Sequence, residues 1–228
     1  MTMNTKIWIL AGVVIIALAL VAWFSWSPSN PLPVEASDHL TSWALPLPQD
    51  AASSSPQVEA TIAELKSYVG TTTYSTADIY VGIGNEYLLL GDGHSAYNYY
   101  IKAIQASSTE AVAYDNMGAL FAELHASSTA LKAYKKAVAL SPTTEFYQLS
   151  YLNYLAQVAP NDPATEAAFD AAAGALGRLA PNYLIARAVW LGSIGSTTAA
   201  IDTWEQVRTI LPERASAIDA QIAQLEKS

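Results

Sequence analysis

The sequence predicts an all-α protein: a solenoid of stacked helical hairpins, preceded by one transmembrane helix and a proline-rich linker. Three observations carry this reading. Residues 77–110 and 111–144 repeat each other at an offset of 34. Residues 7–24 contain no polar side chain. Residues 27–56 hold six of the eleven prolines and no Lys or Arg.

Composition narrows the function classes. The 228 residues carry 11 Lys and Arg against 20 Asp and Glu, a net charge of −9. With no cysteine, a disulfide scaffold, a thiolate catalyst and a thiolate metal site are all excluded. Without a basic cluster to neutralise phosphates, nucleic acid is not an expected partner. An apolar fraction of 52% argues against wholesale disorder.

In chain order, residues 1–6 read as a short cytoplasmic end and residues 7–26 as a signal anchor. Twenty residues at about 1.5 Å each span the hydrocarbon layer. Trp8, Trp23 and Trp26 stand at the two ends, where indole favours the lipid–water interface. Lys6 precedes the run and the next cation is Lys66, so the rest of the chain is expected outside the cytoplasm. A cleaved signal peptide is the alternative, with Ala17-Leu18-Ala19 as its site. Residues 27–56 read as an extended spacer that lifts a domain off the membrane. Within it, Leu40 to Leu47 around Trp43 is apolar. This stretch is read as packing on the chain's own domain or on the lipid interface, rather than as a docking peptide.

The repeat has a physical period. Tyr80, Ile83, Gly84, Tyr87 and Leu90 fall on one helical face, and Ala96, Tyr100, Ala103 and Ile104 on a second. Gly91-Asp92-Gly93 makes the turn between them. One such hairpin has too little core alone, so neighbours must stack. Gly84 and Gly118 are expected where two helices cross closely. Residues 181–214 form another unit through Leu184, Ala188, Leu191, Ile194, Ala200, Trp204, Val207 and Pro212, with Gly195 at the turn and Arg187 where an apolar residue is expected. Residues 145–180 form a divergent unit with Tyr151, Leu152, Leu155 and Val158, then Ala168, Ala172 and Ala175, and about four extra residues at Asn161-Asp162-Pro163. Residues 57–76 supply a flanking helix with Ile62, Leu65 and Val69 inward. Residues 215–228 supply a capping helix through Ala217, Ile218, Ile222 and Leu225.

At these residues the chain resembles the tetratricopeptide repeat (TPR) family. The second repeat carries the family pattern in Tyr114, Met117, Gly118, Phe121, Ala130, Tyr134, Ala137 and Pro142. The first matches in Tyr80, Ile83, Gly84, Tyr87, Ala96, Tyr100 and Ala103, with Ser108 in place of the proline. The resemblance covers residues 77–214. It implies a groove lined by the first helix of each repeat: Asp78, Val81, Asn85, Leu88 and Leu89, then Val112, Asp115, Ala119, Ala122 and Glu123. It also places Asn85 and Asn116 where some chaperone-binding members grip a peptide carboxylate. The basic positions of that clamp hold Val81, Phe146 and Ser150 instead, so an acidic tail is not the implied ligand.

Enzymatic machinery is not expected. His39, His94 and His125 lie in the linker and in two turns, without metal-ligand spacing. Gly82-Ile83-Gly84 lacks a third glycine and a preceding strand. No cofactor is implied. The expected function is a membrane-anchored, extracytoplasmic scaffold or adaptor that binds another protein segment of apolar and basic character. A secreted binding protein and an accessory subunit of a membrane enzyme or transport complex are the alternatives.

Overall fold

Stretches with a helical apolar period fold as helices, and among the described residues ten follow one another: α1 (Ala51–Tyr68), α2 (Thr76–Leu89), α3 (Gly93–Ala106), α4 (Ala111–Glu123), α5 (Ser127–Leu140), α6 (Glu145–Val158), α7 (Pro163–Leu176), α8 (Pro181–Ser193), α9 (Thr197–Ile210) and α10 (Ala215–Leu225). The computed structural model describes residues 30–47, 51–71 and 73–227. The expected membrane span at 7–26 lies outside the described residues, and no described helix is long and apolar enough to cross a membrane. Residues from Leu32 onward form one unit.

Helices α2 and α3, α4 and α5, and α8 and α9 pack as tight hairpins. The first helices α2, α4, α6 and α8 each touch the next in line, while no comparable contact joins the second helices α3, α5, α7 and α9. The first helices therefore line the inner face of the stack.

At the repeat glycines each paired helix is met by an aromatic ring. A Cβ on Gly84 would lie 2.5 Å from the Tyr100 ring, and one on Gly118 would lie 2.6 Å from the Tyr134 ring. Each glycine is the seat for a tyrosine ring of its own hairpin. Ala96, Ala103, Ala130 and Ala137 are fully buried around these rings, with Tyr114 and Phe121, while Tyr80 and Tyr87 pack at the margin beside Tyr99. The fourth unit repeats the theme with Ala188, Ala200 and Trp204 buried. The three short turns of the tight hairpins each place one residue in the left-handed region, Gly91 (φ 71°), His125 (φ 56°) and Gly195 (φ 76°).

The spacer reading of residues 27–56 requires correction. Residues 32–47 are a strap bound to the first two hairpins, and α1 already begins at Ala51. Leu32 is buried, and its carbonyl accepts a hydrogen bond from Tyr97 Oη (2.9 Å). Trp43 lies against Tyr97, Phe121 and His94, with ring centroids 5.0, 5.9 and 5.3 Å away. The packing of this apolar stretch is thus on the chain's own domain. Its backbone pairs with the first turn: Leu45 N–H donates to Gly91 O (3.0 Å), and Gly93 N–H donates to Trp43 O (3.1 Å). A Cβ on Gly93 would come 2.6 Å from that same carbonyl, which explains the second glycine of the turn.

Asp38 is the strap's central anchor. In the first hairpin, Asp92 caps α3 by accepting from Ser95 N–H (2.9 Å). One repeat later Ala126 stands in that place and offers no side-chain cap to α5. The strap supplies it: Ser128 N–H and Thr129 N–H donate to the two Asp38 oxygens at 2.9 and 2.8 Å. Glu35 adds an ion pair with Lys132. Burial works against the Asp38 charge, but hydrogen bonds from Thr129 and Ser128 outweigh it and hold the carboxyl below its ordinary range.

Three further expectations shift in detail. In the third unit, the turn Ala159–Asp162 is one residue longer than Leu124–Ala126 and α6 is one residue longer than α4, not four extra residues in the turn. The register of α7 places Thr165, Phe169, Ala172 and Ala173 inward, leaving Ala168 and Ala175 at the margin. Phe169 stacks on Trp190 at 4.7 Å, so this large ring takes the space that a tighter hairpin would fill. Val158 is exposed, and Tyr154 is buried instead. Arg187 sits half-buried, its Nη1 donating weakly to Tyr183 Oη (3.4 Å). At the ends, α1 buries Val58 and Ile62 and sets Leu65 over Gly82, but Val69 falls past its end and is exposed. Helix α10 buries Ile218 and sets Leu225 against Gly192, while Ala217 stays at the surface.

Two outcomes test this packing. Gly118→Ala gains about 1 kcal/mol of helix propensity but must displace the Tyr134 ring, a cost of about 1–3 kcal/mol. Urea unfolding should show net destabilisation; a stabilised variant would contradict the ring seat. Asp38→Ala should cost about 1 kcal/mol through the lost cap. Because the Asp38 pKa is lowered, that stabilisation is present above about pH 4 and fades as pH falls further, so the difference from wild type should narrow there.

Candidate functional site

The inner face is assembled from the side chains that the hairpin core leaves pointing inward. The tyrosine rings seated on Gly84 and Gly118 reach toward this face. Tyr100 Oη donates to Asn85 Oδ1 on α2 (2.8 Å). Asn116 Nδ2 on α4 donates to the same oxygen (2.8 Å). Two amides that are 31 residues apart in sequence thus meet across neighbouring repeats. Burial raises the Tyr100 pKa, with Asn116 offsetting part of the effect, so the phenol stays a donor and the pair is held in one orientation.

Along this face Leu88 is half-buried and Leu89 is exposed, as is Phe146 on α6 at 62%. Leu88, Ala119, Leu120 and Glu123 border a cavity of about 300 Å³ with Leu45 and Pro46 of the strap. The strap thus forms one rim of the groove. Sequence reasoning missed this rim because nothing local in Leu45-Pro46 signals a contact with residues beyond 80.

Other candidate residues take different places. Val81 is buried in the core, not open to the groove. Asp78 is exposed and borders a second cavity, of about 380 Å³, with Leu65, Tyr68 and Tyr74 beside α1. Val112, Asn116 and Ala122 are half-buried, and Ala119 and Glu123 are exposed. Glu110, just before α4, has a raised pKa, from burial first and then from the nearby Asp78 charge.

Asp115 is the outlier. It is only 4% exposed, and its Oδ1 has no hydrogen-bond partner. Burial pushes its pKa up to about 6, with the Ser150 hydroxyl of α6 offsetting part of the effect. An unpaired carboxylate in this position is disfavoured by about 3 kcal/mol, at 1.36 kcal/mol per pKa unit above the ordinary value near 4. A raised pKa stabilises the fold fully below about pH 4 and loses that contribution as pH rises through about 6. Asp115→Asn should therefore be more stable than wild type by about 1–3 kcal/mol at pH 7.5, with the two converging at pH 4. Equal stabilities at both pH values, read by chemical denaturation, would contradict the burial of this charge.

With this geometry in hand, comparison with known proteins bears on the fold. No family model matches the sequence, and no curated protein is similar to it. Solved structures are similar in shape. A tetratricopeptide repeat protein from Parabacteroides merdae ATCC 43184 superposes with a TM-score of 0.59 at 14% identity, over 78% of this chain and 70% of that one. YrrB, described as a TPR protein with an unusual peptide-binding site, gives 0.54 at 18% identity, over 82% of this chain and 93% of that one. MamA gives 0.55 at 13% identity, over 73% and 90%. At these identities the likeness is one of fold: the stacked helical hairpins resemble a TPR-type α-solenoid.

Proposed function

We propose that this chain is a non-catalytic scaffold that holds an extended segment of another protein on the inner face of its solenoid. The meeting of Asn85 and Asn116 carries this reading. One oxygen accepts both internal bonds, which leaves the Asn85 amide N–H groups and the Asn116 carbonyl oxygen as donor and acceptor for a ligand backbone. Leu88, Leu89 and Phe146 supply apolar contacts on either side. The groove carries Glu123 and the buried Asp115 and offers no lysine or arginine among the residues named here, so an acidic segment is disfavoured. That YrrB has a peptide-binding site supports the same use of a similar fold.

The scaffold is proposed to be anchored by residues 7–26, with the solenoid outside the cytoplasm, on the strength of the apolar run and the lone Lys6 before it. Its place would be an envelope or cell-surface assembly. A photo-crosslinking residue at Leu89 or Phe146 should trap a partner in intact cells, whereas one at Lys135, exposed on α5, should not. Crosslinking only from Lys135 would move the binding surface to the outer face. A mature N-terminus at Leu20, read by mass spectrometry, would replace the anchor with a secreted form.

A further inference from the structure

The two inter-repeat crevices of the inner face differ at three of four matched positions. The first crevice, between α2 and α4, contains Val81, Asn85, Asn116 and the Tyr100 hydroxyl. The second, between α4 and α6, contains their repeat equivalents Asp115, Ala119, Ser150 and the Tyr134 hydroxyl, each 34 residues on. In the first, Asn85 Oδ1 accepts from both the Tyr100 hydroxyl and the Asn116 amide. In the second, a buried carboxylate replaces valine, and both asparagines are shortened, to alanine and serine. The charge has gained no donor of its own on Oδ1, and side-chain volume has been removed beside it.

We propose that this second crevice seats one cationic side chain of the bound segment, a lysine or arginine whose head group donates to Asp115. The inference rests on the groove reading above. Ala119, one helical turn from Asp115, is exposed and presents only a methyl, so a long flexible side chain can enter past it. The facing groups suit a cation. Tyr134 from α5 and Tyr147 from α6 both feel the Asp115 charge, Ser150 bonds it from α6, Glu123 acts on Tyr134 and Glu110 on Tyr147. The α2 and α3 counterparts named above, Val81 and Tyr100, bring no cation. A carboxylate with an open acceptor and neighbouring phenols favours an ammonium or guanidinium donor.

A random 12-residue peptide display library selected on the full-length chain at pH 7.5 tests this. The recovered peptides are then synthesised with the basic residue intact or replaced by norleucine. The expected result is one fixed Lys or Arg beside apolar residues. Norleucine in the peptide or Asp115→Asn in the protein should each weaken calorimetric binding about tenfold, and the two together should weaken it no further. Bound peptide should also lower the titration midpoint of the Asp115 carboxyl, followed by carbon NMR, from about 6 into the ordinary range. Ala119→Leu closes the mouth without touching the carboxylate and should give the same loss. Peptides that are weakened by Asn85→Ala and Asn116→Ala but carry no fixed basic residue, or ignore Asp115→Asn and Ala119→Leu, would overturn the cation seat and leave the groove standing. Binding indifferent to all four substitutions would overturn the groove and the seat together.

Discussion

A glycine facing a tyrosine ring sets the geometry of this molecule. Gly84 and Gly118 have no Cβ because the Tyr100 and Tyr134 rings occupy that space. The contact fixes how closely the two helices of a hairpin approach. It also directs each ring toward the first helices, so that the Tyr100 hydroxyl reaches Asn85 at the inner face. One packing constraint thus makes the hairpin and furnishes the groove floor. Without the ring seat, Asn85 and Asn116 would lack their common organiser.

The strap answers a different physical problem. Helix α5 starts after Ala126, which cannot cap it, so its first N–H groups need an acceptor from elsewhere. Asp38 provides one from 90 residues away, and Trp43 and Leu32 bury apolar surface over the same two hairpins. Because the strap also forms a rim of the groove at Leu45 and Pro46, stability and the proposed binding share this segment. A ligand lying in the groove would touch both the solenoid and the chain's own N-terminal segment.

The helical hairpins were legible because their signals are local. A 3.6-residue apolar period, small residues at matched offsets and glycines at turns are all read from one stretch of sequence. The strap was less legible. Its prolines and the absence of cations suggest an extended chain, and it is extended; its partners, however, lie at residues 91–132, beyond any local pattern. The glycine pair around Asp92 held a trace of it, since the left-handed turn position accounts for Gly91 and Gly93 is spare until the strap is seen. In the third unit, Phe169 was missed because an alanine-rich helix offers several equally apolar registers. In the groove, Val81 and Asp115 were read as open lining residues, but helix position alone does not reveal depth. The offset comparison of the two crevices becomes informative only once that depth is known.

The central claim, that the tyrosine ring on its glycine holds the hairpin together, is tested most directly by a double-mutant cycle on Gly84→Ala and Tyr100→Leu, followed by chemical unfolding of the full-length chain. With Tyr100 in place the added methyl should destabilise, because it meets the ring at 2.5 Å. With Tyr100→Leu as background, the same change should become neutral or stabilising, as helix propensity alone would have it. An equal cost for Gly84→Ala in both backgrounds would show that the ring does not rest on this glycine, and would contradict the register on which the groove is built.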